Sequence, residues 1–251
     1  MNIHVVTLFP EWFLAAAGLG LTGKALASGE LRCWNPRDYA RDPYRTIDGR
    51  TYGGGPGMVL MLDPLIELMS ELKASVSSTA RVTAMSPQGE VLTQARVKKM
   101  AQRDTLILLC GRYEGFDERF VREYVDEEIS LGDFVLSGGE LAALALIDAV
   151  IRLRPGTLKR AESHEQDSFS DGLLDCAHYT RPEVHPLGRV PETLLSGNHQ
   201  AIARHRRREA LGRTWLRRPE LLAQVSLNAA DTRLLDEFRA DWLAQNLSKS
   251  S

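Results

Sequence analysis

The sequence predicts an α/β fold, a mostly parallel sheet followed by a small, mainly helical domain, and three observations carry that prediction. Apolar runs of strand length alternate with stretches of helical periodicity as far as about residue 154, the pattern of a largely parallel sheet. Three of those runs, at 81–85, 106–110 and 128–131, each end in a glycine-bearing loop: 86–89 (SPQG), 110–117 (CGRYEGFD) and 132–140 (GDFVLSGGE). After Pro155-Gly156 the strand signals fade and only helix candidates follow.

Taken in order, residues 2–9 (NIHVVTLF) read as a buried strand halted by Pro10. A helix is expected over 11–17, broken by the glycines of 18–23, then a short strand over 31–34. Residues 35–58 hold three prolines and the run GGGPG at 53–57, which predicts a long loop, and such loops in compact domains tend to be functional. Asp63 as N-cap with Pro64 just inside opens a helix to residue 74, where Leu65, Ile66, Leu68, Met69 and Leu72 recur at helical spacing. Strand 81–85, helix 93–102, strand 105–110, helix 117–124, strand 126–131 and a helix from 140 to about 154 follow. The last is apolar on nearly every face, so it belongs in the domain core or in a subunit interface. Residues 160–175 are polar, lack apolar periodicity and read as a linker. Helices are then expected at 191–195, 198–211, 218–225 and 228–247, the last capped by Asn228 and striped by Leu234, Leu235, Phe238 and Trp242. The expected division is 1–159, a linker over 160–175, and a helical domain over 176–251.

Bulk properties narrow the function. The 251 residues are 43% apolar and 25% charged, an ordinary globular balance. Net charge is −2, so any polyanion site must be local, and between residues 152 and 218 there are 13 Lys/Arg against 8 Asp/Glu. Cys33, Cys110 and Cys176 are too few and too widely spaced for a disulfide framework or a zinc pair. No leader or membrane-length apolar run is seen, which makes a soluble cytoplasmic protein the expectation.

The glycine loops are the first chemical signal. Glycine lets main-chain groups approach a ligand closely, and in an open α/β sheet such loops gather outside the strand ends, where ligands bind. They predict one small-molecule pocket. The run 53–57 is not a Walker loop, since Met58 and Val59 stand where Lys and Ser/Thr would be needed, and no GxGxxG joins the first strand to a helix. The second signal is residues 204–208 (RHRRR), extended by Arg213, Arg217 and Arg218. It reads either as a solvated face balanced by acids elsewhere or as a surface for phosphates, with binding then dependent on salt.

At this point the motifs resemble a known family. Residues 5–10 (VVTLFP), 35–39 (NPRDY), 48–58 (DGRTYGGGPGM), 86–89 (SPQG), 110–115 (CGRYEG), 132–140 (GDFVLSGGE), 167–169 (DSF), 171–175 (DGLLD), 178–184 (HYTRPEV), 195–199 (LSGNH) and 211–220 (LGRTWLRRPE) are similar, in order, to the bacterial tRNA (guanine-N1-)-methyltransferase family of the SPOUT class. The resemblance implies a trefoil knot in the sheet domain, S-adenosylmethionine as methyl donor, a homodimer, magnesium dependence and a role in reading-frame maintenance. The implied substrate is the guanosine immediately 3′ of the tRNA anticodon. By the same resemblance the cofactor is held by Ala84, Met85, Ser86 and Pro87; by Gly111, Arg112, Tyr113, Glu114 and Gly115; and by Ser130, Leu131, Gly132, Phe134, Leu136, Gly138, Gly139 and Ala142. Asp167, supplied by the opposite subunit, is the implied base for the ring N1 proton, and Arg152 the partner of the guanine oxygen. Glu114 is the implied magnesium carboxylate. Ser168, His178, Asn198, His199, Arg204, Arg207 and Arg208 are expected to face RNA. Ala84 and Ala142 depart from the larger residue and the proline that relatives commonly carry. Two rivals remain open: a SPOUT relative acting on a ribose oxygen or another base, and a non-catalytic RNA-binding protein.

Overall fold

The computed structural model describes residues 1–27, 31–157 and 167–247, so most of the expected linker lies outside the described residues. The chain divides into two compact units, Met1–Lys159 and Arg160–Ser251.

The first unit is built on a five-stranded sheet. Its strands are β1 (Asn2–Val6), β2 (Leu31–Trp34), β5 (Arg81–Val91), β6 (Thr105–Cys110) and β7 (Glu127–Ser130), in the order β2-β1-β6-β5-β7. Every neighbouring pair is parallel. Strand β6 is central because its run LILLC is apolar at each position. Leu106, Leu108 and Cys110 enter one core cluster with Ile3, Val5 and Phe13, while Ile107 and Leu109 enter another with Leu65, Leu68 and Phe120. A sheet covered on both faces demands such a strand. Helices α1 (Pro10–Ala17), α2 (Gly20–Ala27), α4 (Gln94–Met100) and α6 (Glu140–Arg152) cover one face; α3 (Leu62–Ser75) and α5 (Glu118–Tyr124) cover the other. One side of α6 is core, with Ala143, Leu146, Ile147 and Val150 fully shut off, while apolar Leu141 at its start is 52% exposed.

Three expectations are corrected. The glycines of 18–23 do not simply break a helix; Gly20, at φ +62°, turns the chain and a second helix begins there. Helix α3 starts one residue before Asp63, with Met61 as a cap lacking any side-chain bond, so Asp63 sits in the first turn, where a carboxylate favours the helix dipole. The long loop 35–58 is partly structured. A 3₁₀ turn, Pro36–Tyr39, is capped by Asn35, whose oxygen accepts from Arg37 N at 3.0 Å, and strands β3 (Asp48–Arg50) and β4 (Met58–Leu60) form a hairpin with GGGPG at its tip.

Strand β7 is pinned by charge. The Glu127 side chain, 8% exposed, accepts from Thr83 Oγ1 at 2.7 Å and from Arg96 Nη2 at 3.2 Å, and pairs with Arg103 through both terminal nitrogens. Burial pushes its carboxyl up, but the Arg103 and Thr83 hydrogen bonds outweigh that and hold it at about 2. An unfolded Glu titrates near ~4.3, so the native value is depressed and the stabilisation is complete above that pH and lost as pH falls toward 2. Glu127→Gln should therefore cost about 2 kcal/mol at neutral pH and shrink the loss of stability between roughly pH 4.5 and 2. Parallel acid-unfolding curves for the two proteins would contradict this.

The second unit carries a two-residue hairpin, β8 (Val184–His185) with β9 (Gly188–Arg189), then α7 (Glu192–Leu195), α8 (His199–Arg217), α9 (Pro219–Leu222) and α10 (Ala229–Leu247). Asn198 caps α8 by accepting from Ala201 N at 3.1 Å, and Asn228 does the same for Asp231 N at 2.8 Å. Leu211, Leu234, Leu235 and Leu173 form its small core, with Trp215 edge-on to Trp242 at 5.7 Å. Among the described residues no helix is long and apolar enough to cross a membrane.

Candidate active site

Two of the glycine loops leave the C-terminal ends of β6 and β7; the third, 86–89, lies within β5, which does not end at residue 85 as expected but runs on to Val91, and all three line one cleft. Residues 86–89 bulge from the ladder of β5, because Met85 and Glu90 both register with Ile129. The 111–116 loop is zipped to β4: Glu114 N donates to Met58 O at 2.9 Å and Leu60 N to Gly115 O at 3.0 Å. The 132–139 loop lies against it, with Gly139 N donating to Gly111 O at 3.0 Å and an antiparallel bridge between Arg112 and Gly138. Gly139 is required by that contact. A Cβ there would come within 2.8 Å of the Cys110 Cα and 3.2 Å of both Gly111 N and the Met85 side chain.

These loops enclose a cleft of about 350 Å³, the size of a small-molecule pocket. Of the residues expected at a cofactor, sixteen line it: Ala84, Met85, Ser86, Pro87, Gly111, Tyr113, Glu114, Gly115, Ser130, Leu131, Gly132, Phe134, Leu136, Gly138, Gly139 and Ala142. The other, Arg112, does not. Its guanidinium lies over the Phe9 ring at 4.6 Å, donates to Ser137 O at 3.2 Å and pairs through Nε with Glu140 Oε2 at 3.0 Å. That pair is shut from water at an angle too poor for a hydrogen bond, and Glu140 is completed by Thr7, whose hydroxyl donates to Oε1 at 2.9 Å. Gln88, in the 86–89 loop expected there, lines the cleft too, whereas sequence reasoning missed Glu118 and Glu128 on its wall and the anchoring role of Glu140. Lone acids on helix and strand ends carry no motif signal, and nothing in the 132–140 loop marks its last residue as an anchor.

None of the cysteines supplies a nucleophile. Burial, then Glu11, pushes the Cys33 thiol up to about 12. Burial and Glu140 push Cys110 well above the ordinary range, and burial and Asp175 raise Cys176. All three therefore stay protonated at neutral pH. Among the described residues one trio could ligate a metal, Asp175, Cys176 and His178, and Glu114 belongs to no such group. An exposed carboxylate like Glu114 offers magnesium one ligand, which suits an ion completed by water and a bound molecule but not a protein cage.

Arg152 ends α6 in the first unit, and Asp167 opens the described part of the second, where its carbonyl accepts from Ser170 N at 3.1 Å. Ser168 Oγ accepts from Asp175 N at 3.0 Å, and His178 Nε2 meets Asp175 Oδ2 at 2.7 Å. The arginines expected to face RNA have acidic partners. Arg204 Nη2 reaches both Glu237 oxygens at 2.7 Å, Arg207 grips Asp231 at 2.8 and 2.9 Å and also meets Asp171, and Arg208 meets Asp241. Helical spacing is the reason: residues 204 and 208 lie one turn apart on the side of α8 that packs on α10, where Glu237 and Asp241 are likewise one turn apart.

With this geometry in place, the comparisons with known proteins are direct. A sequence model of the family described as tRNA (Guanine-1)-methyltransferase TrmD matches residues 1–224. The tRNA (guanine-N(1)-)-methyltransferase of Shewanella sediminis (strain HAW-EB3) is 55% identical over 240 residues, 95% of this chain and 99% of that protein. Those of Pseudoalteromonas translucida (strain TAC 125) and Pseudomonas fluorescens (strain SBW25) are 54% and 53% identical, over 96% and 95% of this chain and 95% and 96% of theirs. Likeness along nearly the whole chain, loops and helical unit together, means that this chain belongs to the tRNA (guanine-1)-methyltransferase TrmD family.

Proposed function

We propose that the protein transfers a methyl group from S-adenosylmethionine to the ring N1 of a tRNA guanosine, the one immediately 3′ of the anticodon. The observation that carries this reading is the glycine cradle formed by the 86–89 bulge of β5 and the loops after β6 and β7, in a chain whose relatives share its length and are named for that reaction. The cleft fits the cofactor. Five glycines, Gly111, Gly115, Gly132, Gly138 and Gly139, are among its lining residues, and its volume suits a small molecule such as a folded adenosyl group.

Bound there, the cofactor supplies a methyl group on a sulfonium and leaves as a neutral thioether, so the protein need not protonate a leaving group. The protein's task is the guanine. Asp167 accepts the N1 proton, and Arg152 donates to the guanine oxygen as negative charge builds there, a bond worth about 1.5–3 kcal/mol to a charged acceptor. Glu114 is the side chain that would hold magnesium beside the cofactor cleft. The hydrogen-bonded 111–116 and 132–139 loops are where the trefoil knot of the family would close. We also place the working enzyme as a homodimer in the cytoplasm, each site completed by Asp167 of the partner subunit. Exposed apolar residues support a subunit contact: Phe134, 55% exposed, and Val135, 85% exposed, on the cleft, and Leu141, 52% exposed, at the start of α6.

The deciding experiment is transfer of a radiolabelled methyl group to two tRNA transcripts, one with guanosine and one with adenosine after the anticodon. Label is expected in the first alone, recovered as 1-methylguanosine. Label on a ribose, or equal label in both, would favour the other SPOUT chemistry.

A further inference from the structure

Helix α8 has two charged faces, and only one is neutralised. Toward α10 and the 171–175 turn, Arg204, Arg207 and Arg208 meet four carboxylates: Asp171, Asp231, Glu237 and Asp241. That face carries no net positive charge to offer a phosphate. Drawing any of its arginines onto RNA would break an existing pair and leave a carboxylate facing the polyanion.

The opposite side is different. Arg206, Arg213 and Arg217 recur at i, i+7 and i+11, which a 3.6-residue period places on one stripe, with His199 one further step of seven toward the helix start. Among the described residues no ion pair or hydrogen bond engages the three guanidiniums. Arg206 and Arg217 are exposed and Arg213 half-buried. The one acid on α8, Glu209, leans away to Arg208 at 3.5 Å. Three cations thus run along about 16 Å of helix without counter-charge. Arg206 also lies close enough to Cys176 to favour its thiolate electrostatically, which brings the stripe beside the 175–178 segment and its exposed His178.

We infer that the phosphate-binding face of the helical unit is this Arg206–Arg213–Arg217 stripe, and that Arg204, Arg207 and Arg208 are structural. The inference rests on the reading of the chain as a tRNA methyltransferase and specifies which cations take the tRNA backbone. Unpaired surface arginines release the most counterions per contact, since nothing in the protein already neutralises them.

The test compares two triple variants of the full-length protein by the salt dependence of tRNA binding, with the thermal midpoint of each recorded. Replacing Arg206, Arg213 and Arg217 by Gln should leave the midpoint within a few degrees and lower the slope of log K against log salt by about 2, near 0.7 to 0.9 per lost phosphate contact. Replacing Arg204, Arg207 and Arg208 by Gln should lower the midpoint and leave the slope of the folded protein unchanged. An unaltered slope in the first variant, or a slope lost only in the second, overturns the assignment. Methyl transfer is scored separately on the wild type: tRNA bound through the stripe without methylation would defeat the catalytic reading and leave this one standing.

Discussion

Asp167→Ala is expected to lower the turnover of methyl transfer by about 10²–10⁴, with dissociation constants for tRNA and S-adenosylmethionine close to wild type. That range is what a positioned general base contributes. Guanine N1 bears a proton, and its lone pair becomes available to an electrophilic methyl only as that proton departs. The turn that follows Asp167 does not depend on its carboxylate alone. The neighbours hold that turn by their own bonds: Phe169 N donates to Leu173 O, and Asp175 N to Ser168 Oγ at 3.0 Å. Phe169 keeps its left-handed φ of +71° and lies within 6.0 Å of Arg218. A loss confined to kcat is therefore the signature. Turnover within twofold of wild type would end the assignment of the base, and a parallel loss of tRNA affinity would make Asp167 a binding residue instead.

Much of the fold could be read from the sequence because its signals are local. The run LILLC can be only a strand covered on both faces or a piece of buried helix, and the glycine loop after it decides between them. The same locality pointed to the cleft, since much of its wall is the loops after β6 and β7 and the 86–89 bulge of β5, each marked by glycine. Where the sequence misleads, a partner distant in the chain decides. Asp63 has the chemistry of a cap, yet the helix takes one more residue before it, leaving the aspartate in the first turn. The RHRRR run reads either as a face balanced by acids or as a phosphate surface, and no local pattern reveals that 204 and 208 face acids more than thirty residues away. The hairpin in 35–58 forms because β4 also bonds to the 114–115 backbone, a contact no local pattern encodes.

Glu140→Ala should be the most damaging change outside the cleft itself. Glu140 is 1% exposed at the start of α6 and joins three parts of the chain. Thr7, just past β1, donates to one oxygen; Arg112, on the loop after β6, pairs with the other and also holds Ser137 of the loop after β7. Removing the carboxylate leaves a largely buried guanidinium and a buried hydroxyl without their partner. Breaking a buried pair costs about 3–5 kcal/mol, and because the Arg112 side chain is 25% exposed the lower end applies, about 3 kcal/mol. For a chain of this size that is a fall of roughly 6–12 °C in Tm. Glu140→Gln keeps the acceptor for Thr7 and loses only the charge, so a smaller fall is expected. The kinetic consequence separates a cofactor-positioning role from general destabilisation. Measured well below the melting range, the alanine variant should raise KM for S-adenosylmethionine several-fold while kcat changes little, because the pair fixes two loops of the proposed cofactor cleft and touches none of the groups proposed to react. A variant that melts with the wild type, or one whose kcat falls while KM holds, would show that the loops keep their places without it.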